Sequence, residues 1–160
     1  MFRKFSFCLA ISSFAASALP AMAQETAGTI SGTLDGAPVS WTFSAAQSDF
    51  LWGTSLASIS LMGWPDAAPE GFGMISIGFG LQQGSPENPE VLLMPRGDGL
   101  ALFGRDIEIT LTEAGIEGEA LRLSGSMSGV LGQTSDYGAN VDMSAPRQID
   151  LTFDGVIAAP

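Results

Sequence analysis

Of 160 residues, 17 are acidic, six are basic and none is histidine. The only lysine, Lys4, and the only cysteine, Cys8, fall within the first 23 residues, which read as an export leader; the 137 that follow carry four arginines against all 17 acids, a net charge of −13. Without imidazole, amine or thiol side chains, zinc sites of nitrogen and sulfur ligands, Ser-His-Asp and Cys-His nucleophiles, and Schiff-base or Ser-Lys chemistry are excluded, and the acidity repels nucleic acid and anionic lipid heads.

The leader has three parts: Arg3 and Lys4, an apolar run from Phe5 to Leu19, then Pro20 and the small-residue site Ala21-Met22-Ala23, with cleavage expected before Gln24. The run is interrupted by Ser12, Ser13 and Ser17 and falls short of the roughly 20 apolar residues a spanning helix needs. Cys8 precedes the bulk of the run, whereas a lipoprotein cysteine would follow it. No later stretch is long and apolar enough to cross a bilayer as a helix. The expectation is a signal peptide over 1–23 and a single all-β domain over 24–160, exported to a bacterial periplasm or the medium. A chain of this size buries roughly two-thirds of its unfolded surface and folds without a disulfide or metal.

All 20 glycines and eight of the nine prolines lie after the leader, spread evenly between short runs of period-two alternation. Thr29 to Leu34 and Ala37 to Phe43 flank Asp35-Gly36, a pair suited to a type I′ turn, so Leu34 is expected opposite Ala37, Gly32 opposite Val39 and Ile30 opposite Trp41. Pro38 points to an edge or bulge on the outer side of this hairpin. Ala57, Ile59 and Leu61 form the next inward row, with a loop from Trp64-Pro65-Asp66 to Gly71. Ile75, Ile77, Phe79 and Leu81 follow, alternating with Met74, Ser76, Gly78 and Gly80. Gln82 to Glu90, with two prolines, reads as a surface loop. Val91 to Met94 and Leu100 to Phe103 surround the turn Arg96-Gly97-Asp98-Gly99.

Ile107, Ile109 and Leu111 are expected to pair with Leu121, Leu123 and Gly125 across a turn near Gly115-Ile116-Glu117, bringing Arg122 near Glu108 and Thr110. A polar connection from Gly132 to Arg147 precedes the last strand, through Ile149, Leu151, Phe153 and Ile157. The pattern is that of an antiparallel β-sandwich, or a small closed β-barrel, of about eight or nine strands.

Carboxylate and oxygen chemistry survives these exclusions. A glycoside hydrolase needs two acids facing across a groove, but turns and solvated strand faces already account for Asp35, Asp66, Glu87, Glu108 and Asp150. Calcium asks only for oxygen ligands, and Asp136, Asn140 and Asp142 offer them within one loop, without an EF-hand pattern. Arg96-Gly97-Asp98 matches an adhesive tripeptide, but three residues match by chance too readily to count and its turn composition is a sufficient explanation. Trp41 belongs to an inward row, whereas Trp52 and Trp64 sit at strand ends and are the candidate ligand-contacting aromatics. The leading expectation is a non-catalytic binding or assembly module whose partner is a protein, a glycan or an envelope component. Alternatives are a hydrophobic-ligand carrier with a lipocalin-like cavity lined by Met74, Phe79, Met94 and Phe103, a carboxylate-based carbohydrate-active enzyme, and an eight-stranded outer-membrane barrel.

Overall fold

In the computed structural model the described residues are 26–45, 47–53, 56–67 and 71–158; the expected leader and its cleavage site lie outside them. Ten strands form in chain order: β1 (Thr26–Leu34), β2 (Ala37–Ser44), β3 (Asp49–Trp52), β4 (Leu56–Ala67), β5 (Phe72–Gln82), β6 (Ser85–Pro95), β7 (Ala101–Gly104), β8 (Ile107–Glu117), β9 (Ala120–Thr134) and β10 (Asp142–Ala158). That is slightly more than the eight or nine expected. All ten join one antiparallel sheet. Among the described residues no helix is long and apolar enough to cross a membrane.

The first hairpin forms in the expected register, Leu34 with Ala37, Gly32 with Val39 and Ile30 with Trp41. Both turn residues take the positive φ that a type I′ turn demands, 50° at Asp35 and 78° at Gly36. Pro38 lies beyond the ladder between β2 and β4, which begins at Ser40 and shifts register between Ser40 and Trp41. That irregularity is the edge feature Pro38 implied.

Three local expectations are corrected. Trp64, Pro65 and Asp66 are strand, not loop, because β4 runs on to Ala67 and Pro65 is accommodated opposite Trp41 beside that register shift. Most of Gln82 to Glu90 is also strand: Gln83 (φ 53°) and Gly84 (φ 85°) make a two-residue turn, and Ser85 already pairs with Gln82. The β8–β9 turn sits at Gly118-Glu119, where Gly118 supplies φ 67°, instead of at 115–117. Ile107 therefore faces Gly129 and Ile109 faces Met127, four positions from the expected register. Arg122 consequently meets Glu113, at 3.0 Å, in place of Glu108.

The pairings run partly in a ring. β1 pairs β2, then β4, β5, β6, β7 and β9 follow in turn, and β10 pairs both β9 and β1. β10 covers one flank of β9; on the other flank β8 covers Ala120 to Gly129 and β7 covers Gly132 to Thr134. Alternate residues of these strands point inward and form one apolar core, from Ile30, Trp41 and Phe43 through Ile77 and Leu93 to Leu121, Leu151 and Ile157. Burying this alternating set against itself is what fixes the register, since a one-residue slip would turn every apolar side chain outward.

Among the described residues the ladders are interrupted between β6 and β8, which approach each other without pairing. β6 bonds to β7 only from Val91 to Leu93, and its first half, Ser85 to Glu90, has β5 as its ladder partner. β8 has a ladder with β9 alone. Pro86 and Pro89 lack the N–H a ladder would use, and Asn88, at φ 48°, sits in a register break between Gly78 and Gly80 of the facing strand. A bulge with prolines bends a strand and ends its pairing, so β6 diverges from β8 here and leaves a seam.

Candidate binding surfaces

The two ends of the sheet differ. β1 begins and β10 ends at one rim, called here the chain-end rim, which also carries β3, the β5–β6 turn and the β8–β9 turn. The opposite rim carries the Asp35-Gly36 turn, the β6–β7 loop and the β9–β10 connection.

Trp52 closes β3 opposite Ala57 at the chain-end rim and is 44% exposed. It lines a hollow of about 180 Å³ together with Leu56, Ala57, Leu81, Gln83 and Ala114. Ala57 and Leu81 are core residues, so the hollow is the mouth of the apolar interior, and Leu51 and Leu56 leave further apolar surface exposed beside it. Pockets for drug-sized ligands run from about 300 Å³ upward, so this one fits a side chain or two rather than a whole ligand.

Trp64 is elsewhere. It is half-buried on the outward face of β4 opposite Thr42, whose hydroxyl donates to Asp66 at 2.6 Å. Seven residues of extended β4 separate it from Ala57, roughly 23 Å at the rise of a strand. The structure does not bring the two tryptophans together.

The connection holding Asp136, Asn140 and Asp142 lies at the opposite rim and is closed by its own hydrogen bonds. The buried Thr134 hydroxyl donates to Asp136 Oδ1 at 2.8 Å and accepts from the Gly138 amide at 3.0 Å. Asp136 Oδ1 also accepts from the Asn140 amide at 2.9 Å, and Oδ2 accepts from Asn140 Nδ2 at 2.6 Å. Those Asn140 donors, then Thr134, hold the Asp136 carboxyl below the usual carboxylate range. Asp142 is lowered likewise, by the Ser144 amide. Asn140 and Asp142 line a shallow open hollow of about 380 Å³ with Leu100, Gln133 and Val141, and Asp136 is not part of that lining. Among the described residues no three Asp or Glu side chains gather as a metal site would require. The loop instead lays the backbone of Gly138 against the outward ring of Phe103, which the Arg105 guanidinium also covers at 5.0 Å from its centroid.

The four residues expected to line a carrier cavity do not share a face. Phe79 is in the core, whereas Met74, Met94 and Phe103 occupy the alternate, outward positions of their strands. Among the described residues no Asp or Glu is buried. The third lowered carboxyl, Asp35, is held down by the Gln148 amide and then by Arg147. Hydrogen bonds of this kind favour the charged form, the opposite of what a general acid needs.

No family model, curated protein or solved structure matches the chain. The geometry of its own residues is therefore the basis for a functional reading.

The surface that sequence reasoning missed is the inward row of β8. Ala114 faces Leu123 and Ile116 faces Leu121, and both partners are buried in the core. Directly opposed residues share a face, yet Ala114 is exposed and Ile116 is 42% exposed. They are uncovered because no strand forms a ladder with the other flank of β8, although β6 approaches part of it within 8 Å. Gly115 and Ile116 are strand, not the expected turn; the available signal was the alternation of Ala114 and Ile116 with Glu113, Gly115 and Glu117, resumed at the opposite parity after the bulge between Leu111 and Glu113.

Proposed function

We propose that this chain is an exported, acidic, non-catalytic binding or assembly module of a bacterial periplasm or cell envelope. Its single domain is a small barrel, packed solid and open along one seam, and it meets a protein, glycan or envelope partner at the chain-end mouth. The observation that carries this reading is the contrast between a filled core and an exposed apolar mouth. Trp52 and Ile116 on inward positions, with Leu51 and Leu56 on neighbouring outward ones, stay in water at this rim, whereas most of the inward side chains outside β8 are buried. A second exposed apolar group, Leu100, Val130, Tyr137, Val141 and Met143, lies towards the opposite rim, but the chain-end group is the one that opens onto core residues, and exposed apolar groups of this kind are the signature of a contact site.

The same features weigh against the other classes. An outer-membrane barrel turns a continuous apolar band outward, whereas here outward apolar residues such as Met62, Trp64, Met74 and Met94 are set among Ser58 and Ser60 on β4, Ser126 and Ser128 on β9, and Asp150, Thr152 and Asp154 on β10. A glycosidase wants one carboxyl with a raised pKa, and the shifted carboxyls here are lowered.

The test compares the mature protein with Trp52→Ala/Leu56→Ser against arrays of envelope glycans and peptides and against a fluorescent hydrophobic probe. Saturable binding of an array member that the double variant loses, with folding intact, supports the reading. Stoichiometric probe uptake into the interior that the variant keeps would favour the carrier, and turnover of an arrayed glycan would favour an enzyme.

A further inference from the structure

The seam has a chemistry of its own. We propose that the open flank of β8 receives an extended, net-basic segment of a partner protein as an added strand; this rests on the binding-module reading and specifies its partner.

Three observations converge on it. β8 has eleven residues and no proline, every second one presents its amide and carbonyl away from β9, and the edge is open beyond the part that β6 approaches within 8 Å without a ladder. Below the edge lies the uncovered inward row: Ile109 and Leu111 half-buried, Ala114 and Ile116 exposed. A strand added there would lay alternate side chains on this row, and its end would reach the Trp52 hollow, which Ala114 lines. The third observation is charge. Glu108, Glu113 and Glu117 occupy outward positions of β8, and across the seam Glu87 and Glu90 face the outward Gly80 and Gly78. Arg122 answers Glu113 alone among these acids.

The opposing lip cannot close the gap itself, because Pro86, Pro89 and the break at Asn88 spoil β6 as a partner. An added strand would thus carry apolar residues on its inward positions and lysine or arginine on its outward ones, between two rows of acids. A second copy of this chain fits poorly, since β8 against β8 would oppose glutamate to glutamate, and like charges directly opposite destabilise a ladder. Strand addition draws its affinity from main-chain hydrogen bonds and its selectivity from alternate side chains, which is what this edge supplies.

The experiment titrates the mature protein with a labelled synthetic peptide alternating valine and lysine over the length of β8. Two controls accompany it: the same peptide with glutamate for lysine, and one N-methylated at alternate residues, which keeps every side chain but loses main-chain donors. The expected result is saturable one-to-one binding, weakened about tenfold or more by either control, with slowed amide exchange confined to β8. Glu108→Lys/Glu117→Lys, both exposed, weakens binding similarly without unfolding the protein. Equal binding of the N-methylated peptide would reduce the effect to charge attraction and overturn the proposal, as would absence of binding, protection away from β8, or a peptide-free dimer already protected at β8. An array ligand lost on Trp52→Ala/Leu56→Ser but indifferent to the β8 charge variant would overturn the strand addition while leaving the binding-module reading intact.

Discussion

The indole N–H of Trp41 on β2 donates to the carbonyl oxygen of Gly73 on β5 across the interior, at 2.8 Å. Trp41 is 1% exposed, so an unpaired indole donor would be costly there, and the carbonyl that answers it lies where the β5–β6 ladder breaks between Phe72 and Ile75. One irregularity thus satisfies another. Gly63 makes room for the ring: a Cβ there would lie 3.0 Å from both Trp41 Cβ and Ile75 Cγ2. Trp41→Phe keeps an aromatic but leaves the Gly73 carbonyl without this donor, at an expected cost of about 1–3 kcal/mol plus the volume lost. Urea denaturation should show a lower midpoint with an unchanged slope. A midpoint equal to wild type would mean that water replaces the indole.

Phe43 makes a second demand on glycine. Gly28 sits opposite both Phe43 and Gly155 along one row of the ring, and the Phe43 ring lies over both glycines, where any Cβ would overlap its tip. Gly28→Ala is expected to destabilise by about 1–3 kcal/mol through overpacking. Phe43→Leu in the Gly28→Ala background should cost less than the two changes added separately, because each leaves space the other lacks. Strict additivity in thermal or urea unfolding would show that the strain comes instead from the Asp154 carbonyl, which also crowds Gly28.

These inward rows were legible in the sequence, because period-two alternation and the Asp35-Gly36 pair are local signals and both held in the structure. The β8–β9 register was not. Gly115 resembles a turn residue, yet its neighbours continue the alternation, and a bulge between Leu111 and Glu113 shifts the parity that alternation alone would assume. The turn at Gln83 was hidden for a related reason, since a non-glycine residue takes positive φ there. Trp52 was found as an exposed strand-end aromatic. The seam beside it depends on which strands meet around the ring, and that is decided by pairings distant in the chain rather than by any stretch of it.

The β9–β10 connection gives a prediction about metal removal. Asp136 spends both carboxylate oxygens on Thr134 and Asn140, so the loop holds its shape by internal hydrogen bonds. Chelation of the purified protein is expected to leave its thermal midpoint unchanged, and Asp136→Ala to speed amide exchange at Asn140. A midpoint that falls with chelator and returns with calcium would place an ion among Asp136, Asn140 and Asp142.

Asp35 links the first turn to the start of the last strand's buried run, and it predicts a pH dependence. Its Oδ1 accepts the Gln148 amide at 2.7 Å, its Oδ2 pairs with Arg147, and its own amide donates to the Gln148 carbonyl at 2.8 Å. The Gln148 amide is the largest influence and lowers its pKa from the ordinary 3.8; burial, next in size, opposes it, and the hydrogen bond and charge of Arg147 lower it further. A carboxyl lowered in the folded state stabilises the fold fully above its unfolded value and loses that contribution as pH falls through the folded one. The contribution should therefore be present from about pH 5 upward and disappear progressively below 3.8. Asp35→Asn is a clean probe, because Asn-Gly supports the same type I′ turn while removing the charge. The side chains of Arg147 and Asp35 are 35% and 41% exposed, so solvent screening limits the pair to roughly 0–1 kcal/mol. Stability curves of wild type and Asp35→Asn against pH should be separated by that amount near neutrality and converge in acid. Parallel curves down to the lowest pH would show that the carboxylate charge contributes nothing and that the turn geometry alone ties β1 to β10.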